Sequence, residues 1–186
     1  VWFEPDKTIS LDLRDISQLT DLSLIPSAGM VLIKSPEGSG KTELIQKVFQ
    51  REQSLSGKQI RLLNVNYRQA PIGQLAEEWG IDSYLTVGKD LAEEEGLGDK
   101  ERKERFCSQS NQLAIGCLSL PNLLKNGIPE AYDIVFLDEI EHILHSLTSG
   151  KVGLFGEEAK SKGNPSRCYE VLKEICKRAT LVIGAD

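Results

Sequence analysis

Short apolar runs alternate with polar or amphipathic segments along most of the chain. Each run is long enough for a buried strand, and most of the intervening segments are long enough for a helix. Parallel strands are buried on both faces and are joined by crossover connections, so this alternation predicts an α/β domain with a largely parallel sheet of at least five strands and flanking helices. The runs are residues 30–34, 60–65, 113–117, 134–138 and 180–183.

Four helices are predicted between these strands, from apolar spacing and from residues that start or stop a helix. The first begins in a glycine-rich turn at residues 35–42 and ends at Gly57, and the second ends at Gly80. The third is short and starts near Ser119, and the fourth begins after Asn164 with an apolar stripe that would face the sheet. Ser, Asn and Pro are frequent at helix starts and Gly at helix ends, which supports these bounds.

Other segments do not fit the strand-and-helix alternation. Residues 9–13 alternate as an edge strand would, and residues 16–22 change to helical spacing. Residues 88–106 are dense in charge and predict an exposed helical insertion, with a binding role as the alternative. Residues 148–164 contain four glycines and predict a flexible loop near the ligand crevice.

The glycine-rich turn reads Ser-Pro-Glu-Gly-Ser-Gly-Lys-Thr and follows an apolar strand. A phosphate-binding loop wraps phosphate in backbone N–H groups at a helix N-terminus, and adds a lysine ammonium and a Mg²⁺-binding hydroxyl. Ser35 stands where the usual pattern has its first glycine, and an ordinary strand-to-helix turn is the alternative interpretation. The predicted nucleotide-binding residues are Glu37, Gly38, Ser39, Gly40, Lys41 and Thr42.

Asp138 and Glu139 directly follow another apolar strand and complete the predicted site. Asp138 would share Mg²⁺ with Thr42, and Glu139 would orient or deprotonate the attacking water. Lys41 would hold the β- and γ-phosphates of ATP, so Lys41 and Glu139 are the predicted catalytic residues. A second carboxylate directly after Asp138 favours hydrolysis over transfer of phosphate to another acceptor.

Composition limits the other classes of protein. The chain has 186 residues and a net charge of −6, which argues against a general polyanion-binding surface but permits a local one. No apolar stretch approaches the ~18 residues of a membrane span, and the N-terminal residues lack a signal-peptide pattern, so a cytoplasmic protein is predicted. The four cysteines have no C-x-x-C spacing and are interpreted as buried reduced thiols, in preference to metal ligands or disulfides.

The order of these motifs resembles the first RecA-like domain of superfamily 2 helicases. The closest likeness is to the herpesvirus origin-binding-protein type and to the cyanobacterial plasmid replication proteins that carry such a domain. The resemblance covers residues 27–186, and residues 1–26 are interpreted as a leader that packs on this domain. The similar segments are residues 35–42 (motif I), 66–68 with 75–76 (motif Ia), 116–120 (the following strand and turn), 138–144 (motif II) and 182–186 (the start of motif III).

This resemblance implies a RecA-like P-loop NTPase domain of a DNA helicase or translocase that acts in plasmid or genome replication. It implies ATP and Mg²⁺ as ligands and DNA as a partner, with Arg68 and Ser119 as nucleic-acid contacts. A solvated surface charge is the alternative interpretation for Arg68. Glu141 stands where related helicases have Asp or His, and His142 is interpreted as a helix-surface residue. The family's second RecA-like domain, which carries an arginine finger, has no counterpart in this chain.

Two other functions stay open at this stage. One is another P-loop phosphotransferase, such as a kinase, and the other is a nucleotide-binding module that does not hydrolyse. If the helicase interpretation is right, residues 1–186 should fold alone and should bind ATP–Mg²⁺ weakly, because one wall of a two-domain site is present. Hydrolysis by the 186-residue chain should then be near background and unresponsive to DNA.

Overall fold

The computed structural model describes residues 6–68, 70–85, 105–107, 109–125, 127–148 and 164–186. Its centre is a six-stranded sheet with the spatial order β1-β8-β7-β2-β4-β3, and every recorded pair of neighbours in this sheet is parallel. A separate antiparallel pair is formed by β5 and β6. The strands are β1 (Gly29–Ile33), β2 (Leu62–Asn66), β3 (Asp82–Ser83), β4 (Gln112–Gly116), β5 (Leu124–Lys125), β6 (Ile128–Pro129), β7 (Ile134–Asp138) and β8 (Leu181–Ala185).

Helices cover both faces of this sheet. Buried side chains of α1 and α2 pack on one face, together with alternate residues of the strands. The opposite face carries α3, α4 and a 3₁₀ segment at Cys117–Leu123. The fold is therefore α/β with a parallel sheet between two helical layers, which is consistent with a Rossmann-like or RecA-like fold. The helices are α1 (Lys41–Ser56), α2 (Ala70–Trp79), α3 (Ile140–Thr148) and α4 (Pro165–Arg178).

The strands that carry the candidate site end at the same level. Ile33 of β1 pairs with Ala185 of β8, and Ala185 pairs in turn with Asp138 of β7. Asp138 pairs on its other side with Asn66 of β2, which pairs with Gly116 of β4. The chain leaves β1 and β2 toward one helical layer and leaves β4 and β7 toward the other, so the connections diverge at this edge. Ligands bind α/β sheets in the crevice that such divergence opens.

Strand β8 lies between β1, which leads into the glycine-rich turn, and β7, which ends at Asp138. Neighbouring strands lie about 4.8 Å apart, so the ends of β1 and β7, with β8 between them, are roughly 10 Å apart. Gly184 of β8 keeps this part of the sheet close to α3, because a Cβ there would lie 2.7 Å from Cδ1 of Ile140 and 2.9 Å from Cδ2 of Leu32.

The five predicted strands are confirmed to within two residues as β1, β2, β4, β7 and β8. Three predicted helices are also confirmed. α1 ends before Gly57, which has a left-handed backbone, and α2 ends before Gly80. α4 is capped by the Asn164 side chain, which accepts a hydrogen bond from the Ser166 N–H at 3.0 Å.

Some predicted elements are wrong. Residues 9–13 form no strand, because their side chains are exposed and no strand in the described part of the chain pairs with them. Residues 16–22 contain short 3₁₀ turns where a continuous helix was expected, because Asp15 and Asp21 each cap a turn that ends after three residues. The third helix is a 3₁₀ segment followed by the β5–β6 hairpin. Most of residues 88–106 and 148–164 lie outside the described residues.

The four cysteines are thiols and form no disulfide in the structure, as the sequence predicts. Cys107, Cys117 and Cys168 are buried, whereas Cys176 is half-buried. Burial raises the pKa of the Cys117, Cys168 and Cys176 thiols to about 11. They are therefore protonated near neutral pH and pack as small apolar side chains. Within the described ranges, no helix is long and apolar enough to cross a membrane.

Candidate functional site

The turn between β1 and α1, residues 35–42, is called the glycine loop here. Gly38 and Gly40 have φ angles of 73° and 78°, in the left-handed region that favours glycine. Gly40 also lies against the leader, since a Cβ there would lie 2.4 Å from Oδ1 of Asp15 and 2.7 Å from Cβ of Ser17. A Cβ on Gly38 would have no neighbour within 4 Å. Gly40 is therefore required for packing as well as for conformation, whereas Gly38 has open space beside it.

Ser35 has a structural role that explains why the loop does not need glycine at its first position. Among the described residues, the non-glycine residue with positive φ is Glu139, so the Ser35 backbone lies in a region that any residue can adopt. The Ser35 hydroxyl is 2.7 Å from the Ser39 hydroxyl, which joins the first residue of the loop to its middle. The Ser35 N–H also donates to the Asp186 carbonyl at 3.0 Å. The loop is tied both to itself and to the end of β8.

Lys41 is the first residue of α1, and its side chain folds back over the glycine loop. Its ammonium donates to the Ser35 carbonyl at 2.8 Å and to the Pro36 carbonyl at 3.0 Å. The first N–H groups of α1 lack partners within the helix and carry the positive end of its dipole. A positive charge and several N–H donors thus converge at one point, which is the combination that binds phosphate.

The leader holds the glycine loop and α1 from behind. The Ile16 N–H donates to the Ser39 carbonyl at 2.8 Å, and the Lys47 ammonium donates to the Ser17 carbonyl at 2.6 Å. Arg51 donates through Nη1 to the Ile25 carbonyl at 2.9 Å and also to the Leu22 carbonyl. These bonds hold the glycine loop and the first three turns of α1 against residues 16–25.

The turn formed by Asp138 and Glu139, called the carboxylate turn, ends β7. Burial raises the pKa of Asp138, and the nearby Glu139 carboxylate adds to this shift, whereas Lys41 opposes it. Lys41 is thus close enough to act on Asp138 electrostatically. Glu139 has a φ of 57°, which is unusual for a residue with a side chain and costs about 1–2 kcal/mol.

One cavity of about 750 Å³ connects the glycine loop with the carboxylate turn. The lining contains several carboxylates but, among the described residues, Lys41 as its one lysine or arginine. An anionic ligand with several charges would therefore need added cations to bind here. The residues that line the cavity are Ser35, Glu37, Gly38, Ser39, Gly40, Lys41, Thr42, Glu43, Gln46, Glu78, Trp79, Asp138, Glu139, His142 and Asp186.

The donors in this cavity fit a magnesium ion held together with a phosphate. Thr42 offers a hydroxyl and Asp138 a carboxylate, and hard oxygen ligands are what Mg²⁺ prefers. The described residues contain no cluster of three or more His, Cys, Asp or Glu side chains able to hold a metal by themselves. Mg²⁺ is commonly bound by one or two protein groups together with phosphate oxygens and water.

The other predicted site residues lie at the same edge of the sheet but outside the cavity. Arg68 is exposed in the loop that follows β2, and Ser119 is half-buried in the 3₁₀ segment that follows β4. Because β2 and β4 are neighbours, these residues lie on adjacent connections. All the nucleotide, metal and catalytic residues predicted from the sequence, by contrast, line the cavity.

Sequence reasoning missed several residues at this site. Trp79 and Glu78, at the end of α2, line the cavity because α1 and α2 are neighbours, and no local pattern indicates that contact. His142 is exposed on a helix, as interpreted, but it also lines the cavity. Its place three residues after Glu139 was a usable signal, since a side chain in the first turn of a helix can reach back to the residue before that helix.

No protein-family model matches this chain, and no curated protein sequence matches it.

Proposed function

We propose that this chain binds and hydrolyses ATP and forms the RecA-like P-loop NTPase domain of a DNA helicase or translocase. The observation that supports the nucleotide site is that Lys41, Thr42, Asp138 and Glu139 line one cavity at the carboxyl ends of parallel strands. These residues come from segments about a hundred positions apart in the sequence. Their meeting in one cavity makes an ordinary strand-to-helix turn a poor explanation of the glycine loop.

Each residue has a defined task in the proposed reaction. The loop N–H groups and the Lys41 ammonium bind the β- and γ-phosphates. Thr42 and Asp138 hold Mg²⁺, which when bound neutralises charge on the phosphate oxygens. Glu139 orients the attacking water and accepts its proton. The roughly 10 Å between the ends of β1 and β7 leaves room for that water between phosphate and carboxylate.

The charge of the cavity supports a need for a further cation. Lys41 faces the carboxylates of Glu37, Asp138, Glu139 and others, so the charge that develops during phosphate transfer is poorly matched by the described residues. An arginine supplied in trans is worth about 10³–10⁵ in rate for such reactions. We expect that arginine to come from a second domain or another subunit, as in the helicases that the sequence resembles.

The nucleic-acid side of the proposal rests on Arg68 and Ser119. The loops that carry them follow adjacent strands β2 and β4, beside the strand that ends in Asp138. A hydroxyl and a guanidinium on neighbouring loops could contact successive phosphates of one strand. Because the chain has a net charge of −6, this contact would depend on the local groups in these two loops. The protein surface as a whole would not attract DNA.

Hydrolysis of radiolabelled ATP in single-turnover mode tests the nucleotide part. We expect slow, Mg²⁺-dependent release of phosphate to water by the 186-residue chain, with no response to DNA and with Lys41→Ala as the contamination control. Phosphate release or transfer that depends on an added small-molecule acceptor would favour a kinase. Binding of ATP with no release above Lys41→Ala would favour a non-hydrolysing module.

Binding of a fluorescent single-stranded oligonucleotide, followed by anisotropy at low salt, tests the DNA part. Arg68→Ala should weaken binding about 3–10-fold, because a phosphate contact is lost. Lys58→Ala removes an equal charge from an exposed site beyond the far end of α1 and is the matched control. Equal effects of the two variants would show that Arg68 acts as an ordinary solvated charge.

A further inference from the structure

His142 connects the carboxylate turn with the loop that follows β2. Its Nδ1 atom is 3.8 Å from Oε2 of Glu139, three residues earlier in the chain. Its ring is stacked on the Tyr67 ring, with centroids 5.6 Å apart and planes inclined by 26°. Tyr67 is half-buried and packs against the core on the α3 side of the sheet. The imidazole is therefore held between an anchored aromatic ring and the Glu139 carboxylate.

This arrangement addresses a mechanical problem of the carboxylate turn. The Glu139 side chain is 49% exposed and ends in flexible torsions, whereas a water-orienting group must be held close to one position. A separation of 3.8 Å is too long for a direct hydrogen bond, but one water molecule can bridge the two groups. Such a bridge, together with the bulk of the ring, would favour side-chain positions of Glu139 that stay beside the imidazole.

We infer that His142 is a positioning residue for Glu139, and that Tyr67 holds His142 in place. The inference rests on the proposed function of Glu139 and adds a residue to that site. His142 does not touch the phosphates in this scheme, and it acts by limiting where the Glu139 carboxylate can lie. Loss of the imidazole should weaken interactions that exist in the transition state and leave ground-state nucleotide binding unchanged.

The same contacts join the site to the loop with the candidate nucleic-acid residue. Tyr67 directly precedes Arg68, and β2 pairs with β7 up to Asn66 and Asp138. A DNA strand bound at Arg68 would therefore contact the residue next to Tyr67, whose ring holds His142. Substitutions of Tyr67 should therefore have the same kind of effect as substitutions of His142. The effect should be larger when more of the stacked ring is removed.

Affinity for ADP with Mg²⁺ and aluminium fluoride, a mimic of the transferring phosphate with its attacking water, tests this inference. We expect His142→Ala to weaken the mimic about 3–30-fold while ADP affinity stays unchanged. His142→Gln, which keeps a planar donor, should recover most of the loss. His145→Ala, which removes the other histidine from an exposed position on α3, should have no effect. Tyr67→Phe should bind the mimic as tightly as the wild type, and Tyr67→Leu should weaken this binding as His142→Ala does.

A double-mutant cycle separates positioning from general damage. In a Glu139→Gln background, His142→Ala should cause no further loss, because both substitutions remove the same interaction. Losses that multiply in the double variant, or a His142→Ala variant that binds the mimic like the wild type, would overturn the inference. If Lys41→Ala binds ADP as tightly as the wild type, the proposed nucleotide site itself is wrong, which is a different outcome.

Discussion

The glycine loop and the carboxylate turn are both strand-to-helix connections at the same edge of the sheet, but they are built in opposite ways. The glycine loop reaches left-handed backbone conformations with Gly38 and Gly40, where the side chain is absent. The carboxylate turn reaches the same region at Glu139, a residue with a side chain. One connection presents backbone donors, and the other presents carboxylates.

This difference indicates where each connection is constrained. A loop that lets its backbone approach phosphate gains from small residues, because a Cβ would block either the ligand or the neighbouring leader. A turn that must deliver a carboxylate cannot use glycine, so Glu139 keeps a strained backbone. Strain at a residue that carries proposed chemistry is a common feature of functional sites. The predictions below use this contrast, in order of decreasing expected effect.

The largest effect is expected for Glu139→Gln. The amide preserves the size of the side chain but cannot accept the proton of water. In a full-length protein that also supplies the arginine from a second domain, single-turnover ATP hydrolysis should therefore fall about 10²–10⁴-fold. ATP affinity, measured by calorimetry, should change little because Lys41 and Asp138 remain. If this variant hydrolyses ATP at the wild-type rate, Glu139 is not the base and another residue must accept the proton.

Gly40→Ala and Gly38→Ala form a matched pair within the glycine loop. Both glycines have positive φ, but a Cβ at Gly40 would lie 2.7 Å from the Ser17 Cβ, whereas one at Gly38 has open space. We expect Gly40→Ala to lower the free energy of unfolding by about 2–4 kcal/mol and Gly38→Ala by about 1 kcal/mol. Urea unfolding measures both. Equal losses would mean that the leader does not press on the loop.

Asp138→Asn should stabilise the empty protein while removing Mg²⁺-dependent nucleotide binding. Burial and the neighbouring Glu139 carboxylate raise the pKa of Asp138, so the ionised form of Asp138 destabilises the fold at neutral pH. In the wild type, this loss of stability decreases as the pH falls through the raised pKa of folded Asp138. It is absent below the pKa that Asp138 has in the unfolded chain. The advantage of the variant in chemical unfolding should therefore shrink on acidification. A constant difference between pH 4 and pH 8 would contradict this account.

The smallest effect is expected for Glu139→Gly, compared with Glu141→Gly two residues later. Glycine relieves the left-handed strain at residue 139, which offsets the entropy it adds to the unfolded chain, so stability should change by less than about 0.5 kcal/mol. Glu141 lies in the first turn of α3, where glycine should cost about 1 kcal/mol. Thermal unfolding compares the two variants, and equal destabilisation would argue against strain at Glu139.

Local patterns predicted the parts of the fold that depend on local physics. The apolar runs identified the five long strands, and Asn164, Gly57 and Gly80 marked helix ends correctly. The two-residue strand β3 and the β5–β6 hairpin were missed because they are too short to show a period. Residues 9–13 alternate like a strand but lack a paired neighbour, and alternation alone cannot supply one.

Local sequence likewise predicted some residues of the candidate site and missed others. That Lys41, Thr42, Asp138 and Glu139 line one cavity was predictable, because each of them lies at the end of a strand or in the turn and helix start that follow it. Tyr67 and Trp79 were not, because they reach the site through packing between elements that are distant in the sequence. The stacking of Tyr67 on His142 depends on the pairing of β2 with β7, and that pairing follows from the sheet order.

Calorimetric titration of ATP–Mg²⁺ into the wild-type chain and two lysine variants tests the central claim most directly. Lys41 lines the cavity, whereas Lys34 is exposed and does not, so Lys34→Ala controls for the loss of charge. We predict weak binding by the wild type, binding about 10–100-fold weaker in Lys41→Ala, and no change in Lys34→Ala. Equal affinity of the wild type and Lys41→Ala for ATP–Mg²⁺ would contradict the account.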